Sequence, residues 1–94
     1  MKLYHGTNHA REIEAEGFIG GELDALTIGR HVEDGVVYMA DTFAEAAEYG
    51  NAVFEIDFDM MDCEQPIPFT DGNSEHYYST ATNINRYALI KRIN

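Results

Sequence analysis

The sequence predicts an α+β fold, a small split antiparallel or mixed β-sheet carrying two short helices. Three observations predict it. The chain has ninety-four residues, enough for one domain over 1–94 and no more. Its composition is that of a folded globule, 45% hydrophobic with eleven aromatics and two prolines. Short apolar or alternating runs, bounded by glycine and turn residues, outnumber the stretches with helical spacing.

Taken in order, KLYH (2–5) reads as a short strand. Thr7 or Asn8 can cap a helix over roughly 8–16, with Ala10 and Ile13 turned inward and Gly17 at its end, where positive φ is needed. GFIGGELDALTIGRHVEDG (17–35) holds five glycines and no clean period, so a long loop is expected. VVYMA (36–40) is apolar enough for a central strand. Asp41 or Thr42 then caps a helix over about 43–49, and Thr42 with Glu45 three residues on forms a capping box. Phe43, Ala46 and Ala47 make its expected inner stripe, and Gly50 closes it. AVFEIDFDM (52–60) alternates, with Phe54, Ile56 and Phe58 on one side and Val53, Glu55, Asp57 and Asp59 on the other. CEQPIPFTDGNS reads as turn and loop, EHYYST (75–80) as a strand, ATNIN as a turn and RYALIKRI (86–93) as the last strand.

Charge narrows the function classes. Seventeen acids face six bases, a formal net charge of −11, and from Glu12 to Glu75 the only base is Arg30. Such a surface repels phosphate backbones, so direct nucleic-acid binding is not expected. It suits a protein partner with a basic surface, or it serves solubility alone. No apolar run approaches the length of a membrane span, and the first residues lack the apolar core of a signal peptide. A single cysteine, Cys63, fits a reducing compartment. A cytoplasmic monomer is therefore expected. Cys63 lies between Asp62 and Glu64, which disfavour its thiolate and make it a poor nucleophile. His5 and His9 have i, i+4 spacing, but His5 falls on the strand, so no metal site is expected.

Three features line up as a candidate site. His5-Gly6-Thr7 stands at a strand end. GVVYMADTFAEAAEYG then raises Tyr38 to Asp41 along a strand by about 10 Å and returns Thr42 to Tyr49 down a helix by about the same distance. Tyr38 and Tyr49 thus end at one level, where two rings can hold a flat ligand. Glu75 opens a late, tyrosine-rich strand. Each residue also has a plainer reading: a backbone-satisfied strand-end histidine, core tyrosines, a solvated acid, and for Arg30 a surface ion pair.

These residues resemble the ADP-ribosyltransferase superfamily, in its His-Tyr-Glu branch of poly(ADP-ribose) polymerases and diphtheria-type toxins. That branch has an HGT or HGS strand, a helix ending in Gly, a long loop, and a Gly-[Ile/Val]-Tyr-Phe-Ala-Asp strand followed after five residues by Ala-x-Tyr. Here Gly35 to Asp41 and Ala47-Glu48-Tyr49 fit, with Val37 as one extra residue before Tyr38. The resemblance covers 3–58 and implies cleavage of the nicotinamide–ribose bond of NAD, with transfer of ADP-ribose to a macromolecular acceptor and no metal. It implies that His5 binds the adenosine ribose, that the Gly6 backbone, beside Thr7, holds the carboxamide, and that Tyr38 and Tyr49 clasp the nicotinamide ring. Glu75 would bind the ribose 2′-hydroxyl, with Glu55 and Asp57 as rivals, and Arg30 would meet the diphosphate. The competing reading, which size and charge alone resemble, is a non-enzymatic acidic inhibitor of the anti-CRISPR kind, filling the basic groove of a nucleic-acid-handling protein.

Overall fold

The computed structural model describes residues 1–18, 35–71 and 74–94; Arg30, most of the expected 17–35 loop and its single cation lie outside them. Six strands, β1 (Lys2–Thr7), β2 (Val36–Ala40), β3 (Ala52–Asp57), β4 (Ile67–Asp71), β5 (Ser74–Thr80) and β6 (Leu89–Arg92), form one sheet in the order β4-β5-β2-β1-β3-β6. Every neighbouring pair is antiparallel, so the mixed alternative does not hold. Among the described residues there are three short helices rather than two: α1 (Ala10–Glu16), α2 (Phe43–Ala46, tightened into a 3₁₀ turn over Ala47–Tyr49) and α3 (Ala81–Tyr87). No helix of the described residues is long and apolar enough to cross a membrane.

The strand period of two divides the hydrophobic residues between two faces. Leu3, Val37, Met39, Phe54 and Ile56 point to one face and are buried with Ala10 of α1 and Ala81 and Ile84 of α3. Ala40 and Val53 point to the other, where Ala46 of α2 covers them and Tyr4 and Ala47 pack alongside. Val53 is thus buried under α2, while Glu55 and Asp57 on its side are half-buried, and Lys2 pairs with Glu55 at 3.4 Å.

Several boundaries move for identifiable reasons. α1 starts at Ala10 without a side-chain cap, because Thr7 Oγ1 accepts from the His9 N–H at 2.9 Å and Asn8 Oδ1 accepts from the Asn51 N–H at 2.9 Å. Gly17 ends the helix at φ 79°, as its position requires. Thr42 Oγ1 does cap α2, accepting from the Glu45 N–H at 3.2 Å, but Glu45 does not reciprocate and its Oε2 is buried without a partner. Phe43, expected inside, is 42% exposed. β3 stops at Asp57, whose carboxylate accepts from the Asp59 N–H at 2.9 Å and turns the chain.

Two elements stand where a loop and a turn are expected. β4 runs through Pro68, which an edge strand tolerates because its outer N–H needs no partner. α3 is capped by Thr80, whose Oγ1 accepts from the Asn83 N–H at 3.2 Å, and it delays β6 to Leu89. Asn83 anchors that helix. Its Oδ1 accepts from the Glu64 N–H at 2.9 Å, and its Nδ2 donates to the Glu64 carbonyl and to Ser79 Oγ, both at 2.8 Å.

Candidate ligand-binding cleft

The ladder between β1 and β2 is the weak seam of the sheet. It has one registered pair, Tyr4–Ala40, where β1 and β3 share six. Beyond that pair the strands part, and the imidazole of His5 spans the gap. Its Nδ1 lies 2.7 Å from the Tyr38 carbonyl oxygen. A carbonyl only accepts, so Nδ1 carries the proton and Nε2 of the neutral ring is left as an acceptor. Burial pushes the His5 pKa down, and the Tyr38 carbonyl opposes this in part. Behind the ring lies Phe18, edge-on at 5.2 Å, pinned by a hydrogen bond from its N–H to Asn85 Oδ1 at 2.9 Å.

Gly6 stands at the open seam. Across β3 its partner Val53 spends both main-chain groups on the far side, donating to Asn94 at 3.2 Å and accepting from Ile93 at 2.9 Å. The Gly6–Val53 pair is therefore a non-hydrogen-bonded one, and the Gly6 N–H and C=O point away from β3 toward β2. The β1–β2 ladder has already ended there, so both groups face the gap without a ladder partner. Glycine is obligatory at this position. A Cβ at Gly6 would stand 1.7 Å from the Ala46 carbonyl oxygen and 3.3 Å from Tyr49 Cβ. Gly50 is required for the same reason, since its Cβ would meet the Thr7 backbone at 2.2–2.6 Å; its φ of 175° is ordinary extended backbone. The end of α2 is thereby pressed onto the end of β1, with Tyr49 above Gly6.

A cavity of about 350 Å³ opens at this junction. Gly6, Ala40 and Ala46 give it small residues against the sheet and α2, while Tyr4, Tyr38, Tyr49, Phe69 and His76 wall it and His5 reaches it from the seam. Tyr38 and Tyr49 are 59% and 58% exposed, so neither is a core aromatic. They make no ring contact with each other. Phe69 is edge-on to Tyr38 at 5.6 Å, His76 edge-on to Tyr49 at 6.2 Å, and Phe69 and His76 stack at 5.7 Å. An arc of four rings thus runs around the opening.

The structure gathers His5, Gly6, Tyr38 and Tyr49 of the sequence-derived set at one cavity. Thr7 is buried and occupied with His9. Glu75 does not line the cavity. It is exposed, and the strand alternation puts it on the side of Tyr77, whose hydroxyl is pushed up in pKa by desolvation first and then by the charges of Glu75 and Asp41. Glu55 and Asp57 lie on β3 away from the cleft, and Arg30 is outside the described residues. Burial raises the Cys63 pKa, with Asp57 and Glu64 adding to it, in keeping with an unreactive thiol. Among the described residues no group of three or more His, Cys, Asp or Glu side chains converges as a metal site.

Tyr4, Phe69 and His76 are the wall residues that the sequence does not single out. The available signal was the alternation of Ile67, Phe69 and Asp71 around Pro68, with His76 two residues before Tyr78 on the facing strand. No family model, curated protein or solved structure matches the chain.

Proposed function

We propose that the protein is a minimal mono-ADP-ribosyltransferase-like protein that binds NAD with the nicotinamide ring in the cleft between Tyr38 and Tyr49. One observation carries this reading: two exposed tyrosines flank a cavity into whose seam a glycine directs an N–H and a C=O that have no ladder partner on β2. A carboxamide needs that pairing of donor and acceptor, and a carboxylate would meet the carbonyl unfavourably. The pyridinium charge of NAD adds a cation–π attraction to either tyrosine. His5 Nε2, held as an acceptor, suits a ribose hydroxyl.

The chemistry then follows from charge. The bond between the nicotinamide nitrogen and ribose C1′ breaks, its electron pair leaves with the now neutral nicotinamide, and the ribose becomes oxocarbenium-like. An acceptor nucleophile bonds to C1′ and loses its proton to solvent. Isothermal titration with NAD tests the reading, followed by an assay for released nicotinamide. Saturable binding that Tyr49→Ala weakens at least about tenfold is the expected result; no heat and no nicotinamide would end it.

A second reading is favoured by the surface. Glu12, Glu16, Asp41, Glu48, Asp62 and Glu64 are exposed and lie outside the ion pairs formed among the described residues. An acidic protein of this kind would occupy the basic groove of a nucleic-acid-handling partner without chemistry. Its affinity for that partner would fall steeply between 50 and 300 mM salt, as the interaction is screened, roughly over the range where the Debye length shrinks to below 8 Å.

A further inference from the structure

Two imidazoles border the cleft, and the transferase reading uses one of them. We propose that the second, His76, is a substrate-contacting residue that hydrogen-bonds the ribose attached to the nicotinamide ring. The inference rests on the NAD reading above and adds to it a residue and a contact.

His76 is only 8% exposed, yet neither ring nitrogen has a hydrogen-bond partner among the described residues. Burial of an imidazole without a partner is unfavourable, and a phenylalanine would fill the same wall at no such cost. The nitrogens are also not sealed in protein. Glu45 Oε2 is the one described side-chain nitrogen or oxygen that is both fully buried and unpartnered, and His76 lines the cleft. Phe69 stacks on one face of the ring and Tyr49 meets it edge-on, so its orientation is fixed from two sides.

Position then selects the contact. His76 lies in register with Ala40 on β2, and Ala40 with Tyr4 on β1, so β2 separates His76 from the strand of Gly6. Two strand spacings are about 10 Å. Gly6 lies two residues along β1 from Tyr4, which adds about 7 Å along the strand, so the two residues stand roughly 12 Å apart, a width that a pyridine ring with its carboxamide and a ribose hydroxyl, each hydrogen-bonded, spans. If the Gly6 groups hold the carboxamide, the other substituent of the ring is the ribose on the pyridine nitrogen, meta to it. A hydroxyl both donates and accepts, so it satisfies His76 in either tautomer. The alternation of β5 turns His76, rather than its neighbour Glu75, toward the ligand.

The test compares two probes, NAD and free nicotinamide, on the full chain. His76→Phe keeps the aromatic wall and removes the nitrogens. It is expected to bind NAD about tenfold more weakly than the wild type while binding nicotinamide within about twofold, and His76→Gln is expected to recover part of the NAD affinity. Equal losses for both probes would make His76 a packing residue and overturn the proposal, as would no loss for either. Wild type that binds nicotinamide and NAD alike but shows no effect of His76→Phe refutes this contact alone. Wild type that binds neither probe removes the NAD reading and this inference with it. If His76→Phe does not fold, the ¹⁵N signals of the wild-type imidazole decide: the His76 nitrogens should move with NAD and stay with nicotinamide, and the reverse overturns the assignment.

Discussion

Gly6 carries the tightest constraint among the described glycines. An added methyl would stand 1.7 Å from the Ala46 carbonyl oxygen, and backbone cannot swing aside as a side chain can. Gly6→Ala is therefore expected to cost about 3 kcal/mol, lowering Tm by roughly 12–24 °C in a domain of this size. Thermal melts followed by far-UV circular dichroism check it, and a shift under a few degrees would show that α2 does not press on β1. His5 sets a pH dependence. Its folded pKa lies below that of a free imidazole, so the folded chain binds fewer protons than the unfolded chain once pH falls under about 6.5. This part of the stability is fully present above that pH and is lost as pH drops toward the folded value. Urea unfolding between pH 7.5 and 5 should show the loss in the wild type and a shallower slope in His5→Gln; identical slopes would mean that His5 is not held neutral.

At the scale of the elements, Asn83 shows how little side-chain chemistry separates a turn from a helix. Its side chain makes three hydrogen bonds that tie α3 to the chain at Glu64 and to Ser79 of β5. Asn83→Ala is expected to destabilise by about 2 kcal/mol, measured by urea midpoint at constant m-value, because the groups at exposed Glu64 regain water in part. The strands with strong periodicity are legible in the sequence: β2 from its apolar run, β3 from its alternation, and α2 from Thr42 and the returning Tyr49. β4 and α3 are not, and for opposite reasons. Pro68 argues against a strand, but the edge position removes its penalty. Thr and Asn in ATNIN argue for a turn, yet Thr80 uses the same chemistry as a cap and Asn83 as a tether. The cleft was legible to the extent that its residues lay on the legible elements. Tyr38, Tyr49, His5 and Gly6 met those conditions. Phe69 is hidden because Pro68 argues against the strand that carries it, and His76 because without that strand nothing places a ring opposite it.

For the whole molecule, the dominant long-range term is self-repulsion at net charge −11. Raising NaCl from 10 to 150 mM shortens the Debye length from about 30 to about 8 Å, so Tm should rise by a few degrees. Scanning calorimetry at fixed pH checks this, and a flat response would mean that the carboxylates are too dispersed to oppose folding. The same sheet that gathers the cleft is fastened unevenly. β4-β5-β2 and β1-β3-β6 are two triplets of well-knitted strands sharing a single rung, Tyr4–Ala40. The His5 imidazole and α2 also cross that junction, and what fills the slit beside the rung acts as a wedge or a clasp. A guest that gripped Gly6 on one triplet and His76 on the other would add rungs at the middle of the sheet and reach its β4 edge through Phe69.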